Sequence, residues 1–402
     1  MENRYKKTLI ALLCSSALFL SACNDDDDKP NKYDSNIKSF AVDSEVANAV
    51  QVHDILTYDM PSVMGQTIQA TTLVFTPKGT APAGGWPVVV WAHGTTGAAD
   101  QCAPSKNALD GAEKQLILGL IKKGYAVVAP DYEGLGNDQV PHPYLNLSSA
   151  AKSIFFALED VHARYQNLSK QWSVVGWSQG GQAALGAAEF SDVLDSEGYR
   201  YKGAVAIAPA SYLAETLEGG MAYAQQLAAT GEAGTLQAVP IAATLYTYTA
   251  IVSSGIKAGD ASFNYNQAFL DDKVKIAQQA ETLCSPQLGQ VFGLDIQKDL
   301  AAYNGDFSKY QALQSNFLED AKIKQYLAVN TPAKTKLPQP VIIFQGTADT
   351  TVPATITQGL YQYMLSTSTD VELRLKTGAT HSTVISENMN EIVDAVDGLM
   401  KK

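Results

Sequence analysis

Histidine is scarce in this chain: the 402 residues hold five, and only His381 lies downstream of Ser178. If a histidine serves that serine from a later position, there is one candidate. Basic charge is also short. The formal net charge is −12 and becomes −14 once residues 1–22, with three Lys/Arg and one Glu, are removed, which argues against nucleic acid as a partner. Past residue 22 no second hydrophobic stretch of membrane-spanning length is expected, and no internal repeat or low-complexity tract occurs beyond the four aspartates at 25–28. Four adjacent carboxylates without a turn geometry make a poor calcium cage, so no metal and no cofactor is expected.

What is present begins with an export pattern. Arg4, Lys6 and Lys7 precede an apolar segment at 9–20, too short to span a bilayer as a mature helix. Leu20-Ser21-Ala22-Cys23 resembles the bacterial lipoprotein cleavage box, which implies a signal peptide at 1–22 and an acylated Cys23 holding the protein to a membrane. Asn24 is more similar to an outer-membrane than an inner-membrane address, with the leaflet left open. The expected location is therefore the cell envelope, with an acidic, solvated tether over 23–40. Cys14 leaves with the signal and Cys23 is consumed by lipid. Cys102 and Cys284 remain as a pair in an oxidising compartment, which predicts one disulfide.

The mature chain is long enough for one large core with an insertion. Residues 66–76 alternate and end at a Pro-Lys-Gly turn, reading as a meander strand. Short continuous apolar runs at 88–92, 125–129, 172–175, 203–209 and 341–344, followed by 371–375, are of the kind buried in a parallel sheet. Helical spacing covers 106–123, 147–165 and 385–400. Strands separated by helices predict an α/β fold, a mostly parallel central sheet with helices on both faces. The strand pattern vanishes between 211 and 336, too long for a loop; that stretch reads as a helical cap or lid inserted between a first core part, 41–210, and a second, 337–402.

Gly176-Trp177-Ser178-Gln179-Gly180 lies between the apolar run at 172–175 and an Ala-rich stretch, the pattern of a serine on a strand-to-helix turn. A serine hydroxyl is a poor nucleophile until a base takes its proton, so Ser178 needs an imidazole and a carboxylate to orient it. His381, in a small-residue turn after 371–375, and Asp349, just beyond 341–344, are the candidates, both at strand carboxyl ends where open α/β sheets place their sites. Asp131 more plausibly orders a loop. An oxyanion would need two backbone N–H donors: Gln179 at the helix start, and Thr95, with Thr96 next, in the His93-Gly94-Thr95-Thr96-Gly97 turn. His93 suits loop organisation better than base catalysis.

Taken in order, Asp100 to Ser105, Gly124 to Gly134, the Ser178 turn with its double glycine, Gln345 to Pro353, and His381 resemble the secretory lipase family of fungi and bacteria. The resemblance implies an α/β-hydrolase core with a helical cap, carboxylic ester substrates that could include triacylglycerols, and a cysteine of the Cys102 segment paired with one in the cap, as Cys284 would be. The chain departs from the fungal pattern at His93-Gly94, which bears on the second oxyanion donor. Two other readings stand beside the esterase or lipase: a peptidase or amidase on the same core, although no propeller-like repeats precede it, and a non-catalytic surface binding module. Acyl length and oligomeric state are not expressed in these motifs.

Overall fold

The computed structural model describes residues 35–402. The signal segment, Cys23 and the aspartate run lie outside the described residues. The chain joins the folded body before residue 40: β1 (Ile37–Ser39) pairs with β2 (Val50–Pro61), and Phe40 is buried. Residues 37–40, which the sequence reading assigns to the tether, therefore belong to the folded body.

Nine strands form one sheet in the order β1-β2-β3-β5-β4-β6-β7-β8-β9. After β1 and β2 come β3 (Thr67–Pro77), β4 (Trp86–Ala92), β5 (Ala126–Pro130), β6 (Leu168–Trp177), β7 (Arg200–Ile207), β8 (Val341–Gly346) and β9 (Val371–Lys376). β1, β2, β3 and β5 pair antiparallel, whereas β5, β4, β6, β7, β8 and β9 run parallel. The apolar runs form strands because both faces are covered. Val88, Val90 and Ala92 enter one core, while Val89 and Trp91 enter the other, so a strand buried on both sides needs no polar alternation.

The helices are α1 (Ser44–Ala49), α2 (Gly111–Lys122), α3 (Leu147–Arg164), α4 (Gln179–Glu189), α5 (Leu213–Ala228), α6 (Glu232–Gly259), α7 (Val274–Ala277), α8 (Ser285–Ala302), α9 (Ala321–Val329), α10 (Ala354–Ser366), α11 (Thr383–Ser386) and α12 (Met389–Met400). α3 and α4 bury Ile154, Leu158, Ala184 and Leu185 against one face of the sheet, and α2 and α12 bury Leu116, Leu120, Ile392 and Val396 against the other. Helices α5 to α9 lie between β7 and β8 and pack into a third apolar cluster, which also takes in Ala98, Tyr144 and Leu145 of the core segments.

Three local departures from the sequence reading have side-chain causes. Helix α2 starts at Gly111, not 106, because the Asn107 amide donates to the carbonyls of Gln101 (3.0 Å) and Ala103 (2.8 Å) and closes a separate 3-10 turn. The helix expected over 385–400 is two, since the Asn388 amide donates to the Val384 carbonyl (3.0 Å) and ends the first turn. Helix α6 is long and apolar enough to cross a membrane by length and composition, contrary to expectation, yet it lies mostly buried within the protein. Its all-round apolarity suits a helix surrounded by other helices.

Cys102 and Cys284 form a disulfide with Cα atoms 5.4 Å apart and 182 residues between them in sequence. It ties the segment after β4 to the start of α8. Closing so long a loop contributes up to about 5 kcal/mol in the chain-entropy model, before native strain is subtracted. Cys284→Ser is expected to lower stability by about 2–5 kcal/mol, read as a reduced urea midpoint with a larger m-value, because the unfolded chain is no longer cross-linked and exposes more surface. A midpoint equal to the wild type would contradict this.

Candidate active site

β4 pairs with β5 on one side and β6 on the other, which makes the carboxyl end of β4 a switch point in strand order, where open α/β sheets leave a crevice. Ser178 follows β6 at this edge and holds φ 59°, ψ −115°, a strained backbone between the end of the strand and the first residue of α4. Its N–H donates to the Ile207 carbonyl (2.8 Å) and its carbonyl accepts from Gln182 N–H and Ala210 N–H (3.1 Å each). The flanking glycines are required by contact. A Cβ at Gly176 would sit 2.0 Å from the Gly180 carbonyl oxygen, and one at Gly180 would sit 1.8 Å from that of Ala92.

Asp349 and His381 come from loops after β8 and β9 that are stitched together. Ala348 N–H donates to the Ala379 carbonyl (3.0 Å), Thr347 N–H to that of Lys376 (3.0 Å), and Gly378 N–H to the Thr347 hydroxyl (2.9 Å). Asp349 Oδ1 accepts the N–H groups of Thr351 and Val352 (2.8 Å each); Oδ2 accepts the Gln345 amide (3.2 Å) and His381 Nδ1–H (2.8 Å). With the proton on Nδ1, Nε2 carries the lone pair, and it lies 2.9 Å from the Ser178 hydroxyl, which donates to it. Trp177 completes the grip: its Nε1–H donates to the His381 carbonyl (2.9 Å), and the two rings lie 5.2 Å apart. Ser178 is 6% and Asp349 5% exposed, so the chain of proton acceptors is shielded from bulk water.

Gln179 is the first residue of α4, where backbone N–H groups have no intrahelical acceptor and the helix dipole favours negative charge. Thr95 lies in the segment after β4, beside the Ser178 turn. Its hydroxyl is 2.7 Å from that of Tyr144, while the carbonyls of Thr95 and Thr96 accept from the Ser285 hydroxyl (3.4 Å) and N–H (2.8 Å). Gly97, at φ 142°, lets this segment pass the disulfide: a Cβ there would meet Cys102 Sγ at 2.8 Å. His93 is buried, with Nδ1 2.7 Å from the Gly94 carbonyl, and burial pushes its imidazole down to about 4. It organises the turn and does not reach Ser178. Asp131 is likewise interior, accepting from the Thr71 hydroxyl (2.6 Å) and Ser105 N–H (2.9 Å).

The apolar surroundings were not read from sequence. Ser178 opens on a cavity of about 40 Å³ lined by Leu145, Ala210, Leu213, Leu217, Leu245, Tyr248 and other residues. Most come from α5 and α6, whose motifless sequences gave no sign of which residues face the serine. A wider cleft of about 310 Å³ lies behind the Thr95–Thr96 segment and the disulfide but contains none of Ser178, Asp349 or His381. Gln345 and Trp177, which hold Asp349 and His381, and His142 and Tyr144 were also missed. A proline-flanked Pro141-His142-Pro143 turn was the one local sign available. Among the described residues no group of three or more His, Cys, Asp or Glu is arranged to hold a metal ion.

Comparison with known proteins agrees with this architecture. No curated protein matches the chain. Among solved structures, a protein from Legionella pneumophila superposes with a TM-score of 0.68 at 18% identity, over 91% of this chain and 98% of the other. The rice cell wall degrading esterase LipA from Xanthomonas oryzae gives 0.62 at 18% identity, over 91% and 97%. Candida antarctica lipase A in its closed state gives 0.68 at 16% identity, over 91% and 81%. At these identities the likeness is one of fold. The model of the Alpha/beta hydrolase family matches residues 89–395, and with the parallel sheet, the strand-to-helix serine and the order Ser, Asp, His, the chain belongs to the α/β-hydrolase family.

Proposed function

We propose that this chain is an exported carboxylic ester hydrolase of the esterase and lipase kind, with Ser178 as nucleophile, His381 as general base and acid, and Asp349 as the group that orients His381. The observation that carries the reading is the continuous relay in which Ser178 Oγ lies 2.9 Å from His381 Nε2 and His381 Nδ1 lies 2.8 Å from Asp349 Oδ2. As Ser178 Oγ attacks the ester carbonyl, its proton passes to His381 Nε2 and the carbonyl oxygen takes the negative charge, facing the N–H groups of Gln179 and Thr95. The C–O bond to the alcohol then breaks, His381 returns the proton to the leaving alkoxide, and an acyl-enzyme remains. Water repeats the sequence: His381 takes its proton, the tetrahedral intermediate collapses, and Ser178 regains its hydrogen as the acid leaves.

The helical insert 211–336 serves as the cap over this site, the Cys102–Cys284 bridge accords with export, and acylated Cys23 would anchor the enzyme to the envelope membrane, leaving the site to meet ester or lipid substrates there. The small apolar cavity favours a short acyl group, because filling about 40 Å³ with a long chain requires α5 and α6 to separate. Across p-nitrophenyl esters from acetate to palmitate, kcat/KM is expected to peak at or before butyrate and fall by about tenfold or more by octanoate. Palmitate turned over as well as butyrate would reject the short-acyl reading, and no turnover of any ester would reject the esterase.

A further inference from the structure

The segment 141–146 takes no direct part in the relay, yet it touches both places from which oxyanion donors would come. His142 is 3% exposed. Its Nδ1 lies 2.7 Å from the Glu133 carbonyl, which can only accept, so Nδ1 carries the hydrogen. Burial pushes the imidazole down to about 4, so the ring is neutral and Nε2 is an acceptor. The side-chain amide of Gln179 donates to it at 3.1 Å. The ring is stacked at 13° on Tyr132, with centroids 6.2 Å apart. Two residues on, the Tyr144 hydroxyl meets the Thr95 hydroxyl at 2.7 Å.

This segment is itself fastened from three sides. The Gln182 amide donates to the Leu145 carbonyl (3.0 Å), and Tyr326 of α9 donates to the Tyr144 carbonyl (2.7 Å). Helix α6 presses on it at Gly255, where a Cβ would stand 2.8 Å from both Tyr144 N and O. A brace fixed to the core and to the helical insert thus ends in two side chains, one on each donor residue. Preorganised donors are effective because they need no reorientation when charge develops, and a side chain held at its far end removes rotational freedom from the backbone that bears it.

We propose that His142 and Tyr144 are positioning residues that hold the two oxyanion donors in place, His142 through Gln179 and Tyr144 through Thr95. The inference rests on the serine-hydrolase reading. His142→Phe is expected to lower kcat for p-nitrophenyl butyrate by about 10–10²-fold, less than the loss of a whole donor, with KM changed by no more than about threefold. The Ki of butylboronic acid, which forms an anionic tetrahedral adduct on the serine, should rise by the same factor as kcat falls. His142→Gln, which puts an acceptor oxygen where Nε2 stands, should restore most of both. Tyr144→Phe should lower kcat and boronate affinity together and have no further effect in a Thr95→Val background, which keeps the test open if His142→Phe does not fold. Folded variants with wild-type kcat and Ki would overturn the proposal, as would a fall in kcat with unchanged boronate affinity. A wild-type protein that neither binds the boronate nor cleaves the ester would instead overturn the serine-hydrolase reading and the proposal with it.

Discussion

Ser178→Ala is expected to lower kcat for p-nitrophenyl butyrate by about six powers of ten, with KM little changed, the size of loss seen when a triad-activated serine is removed. The hydroxyl accounts for the effect because no second nucleophile replaces it: the position is 6% exposed and faces an apolar cavity. Alanine removes only an oxygen from the turn. Its backbone must still hold φ 59°, where an added or lost hydroxyl alters nothing, and the bonds from Ser178 N and O to Ile207, Gln182 and Ala210 are main-chain. The variant should therefore fold normally, and residual activity near the wild-type rate would place the nucleophile elsewhere.

Asp349→Asn should cost about 10⁴ in kcat while leaving stability nearly intact. Oδ1 accepts two backbone N–H groups, from Thr351 and Val352 at 2.8 Å, and only the carbonyl oxygen of an asparagine can take that place. The new NH₂ is thereby forced into the Oδ2 position, facing His381 Nδ1 and the Gln345 amide. A donor there holds His381 in the opposite tautomer, with its proton on Nε2, and the imidazole then donates toward Ser178 instead of accepting from it. Asp349→Ala differs in kind: it leaves the N–H groups of Thr351 and of buried Val352 without their partner, which costs stability as well as rate. Urea unfolding separates the two variants, while single-turnover acylation tests the role: an asparagine variant that acylates at the wild-type rate would remove Asp349 from the mechanism.

The parallel half of the sheet was legible because burial on both faces writes itself as continuous apolar runs, as in Val88 to Ala92. β2 was not legible. Its inward residues Leu56, Tyr58 and Met60 alternate only over its second half, with His53, Asp54 and Ile55 interrupting the first. Ser178, Asp349 and His381 were singled out from sequence because their chemistry is carried by residue type at the ends of recognisable strands. His142 reaches Gln179 across 37 residues of sequence, a contact no local spacing encodes, whereas Gln345 stands four residues before Asp349 and went unmarked because an uncharged amide carries no chemical signature of its own. A similar limit applies to the cavity walls: Leu217 of α5 and Leu245 of α6 line the cavity at Ser178, but the apolar stripe of α5 fits any neighbouring surface equally well and α6 is apolar all round, so neither sequence marks which residues face the serine.

A triad-activated serine is tested most directly by exposing the protein to a fluorophosphonate and locating the adduct by peptide mass spectrometry. The relay between His381 and Ser178 predicts one phosphonyl group per chain, carried on Ser178, with esterase activity lost in step with its formation and no adduct on Ser178→Ala. An unmodified Ser178 in protein that hydrolyses esters, or an adduct on another residue that tracks the loss of activity, would contradict it.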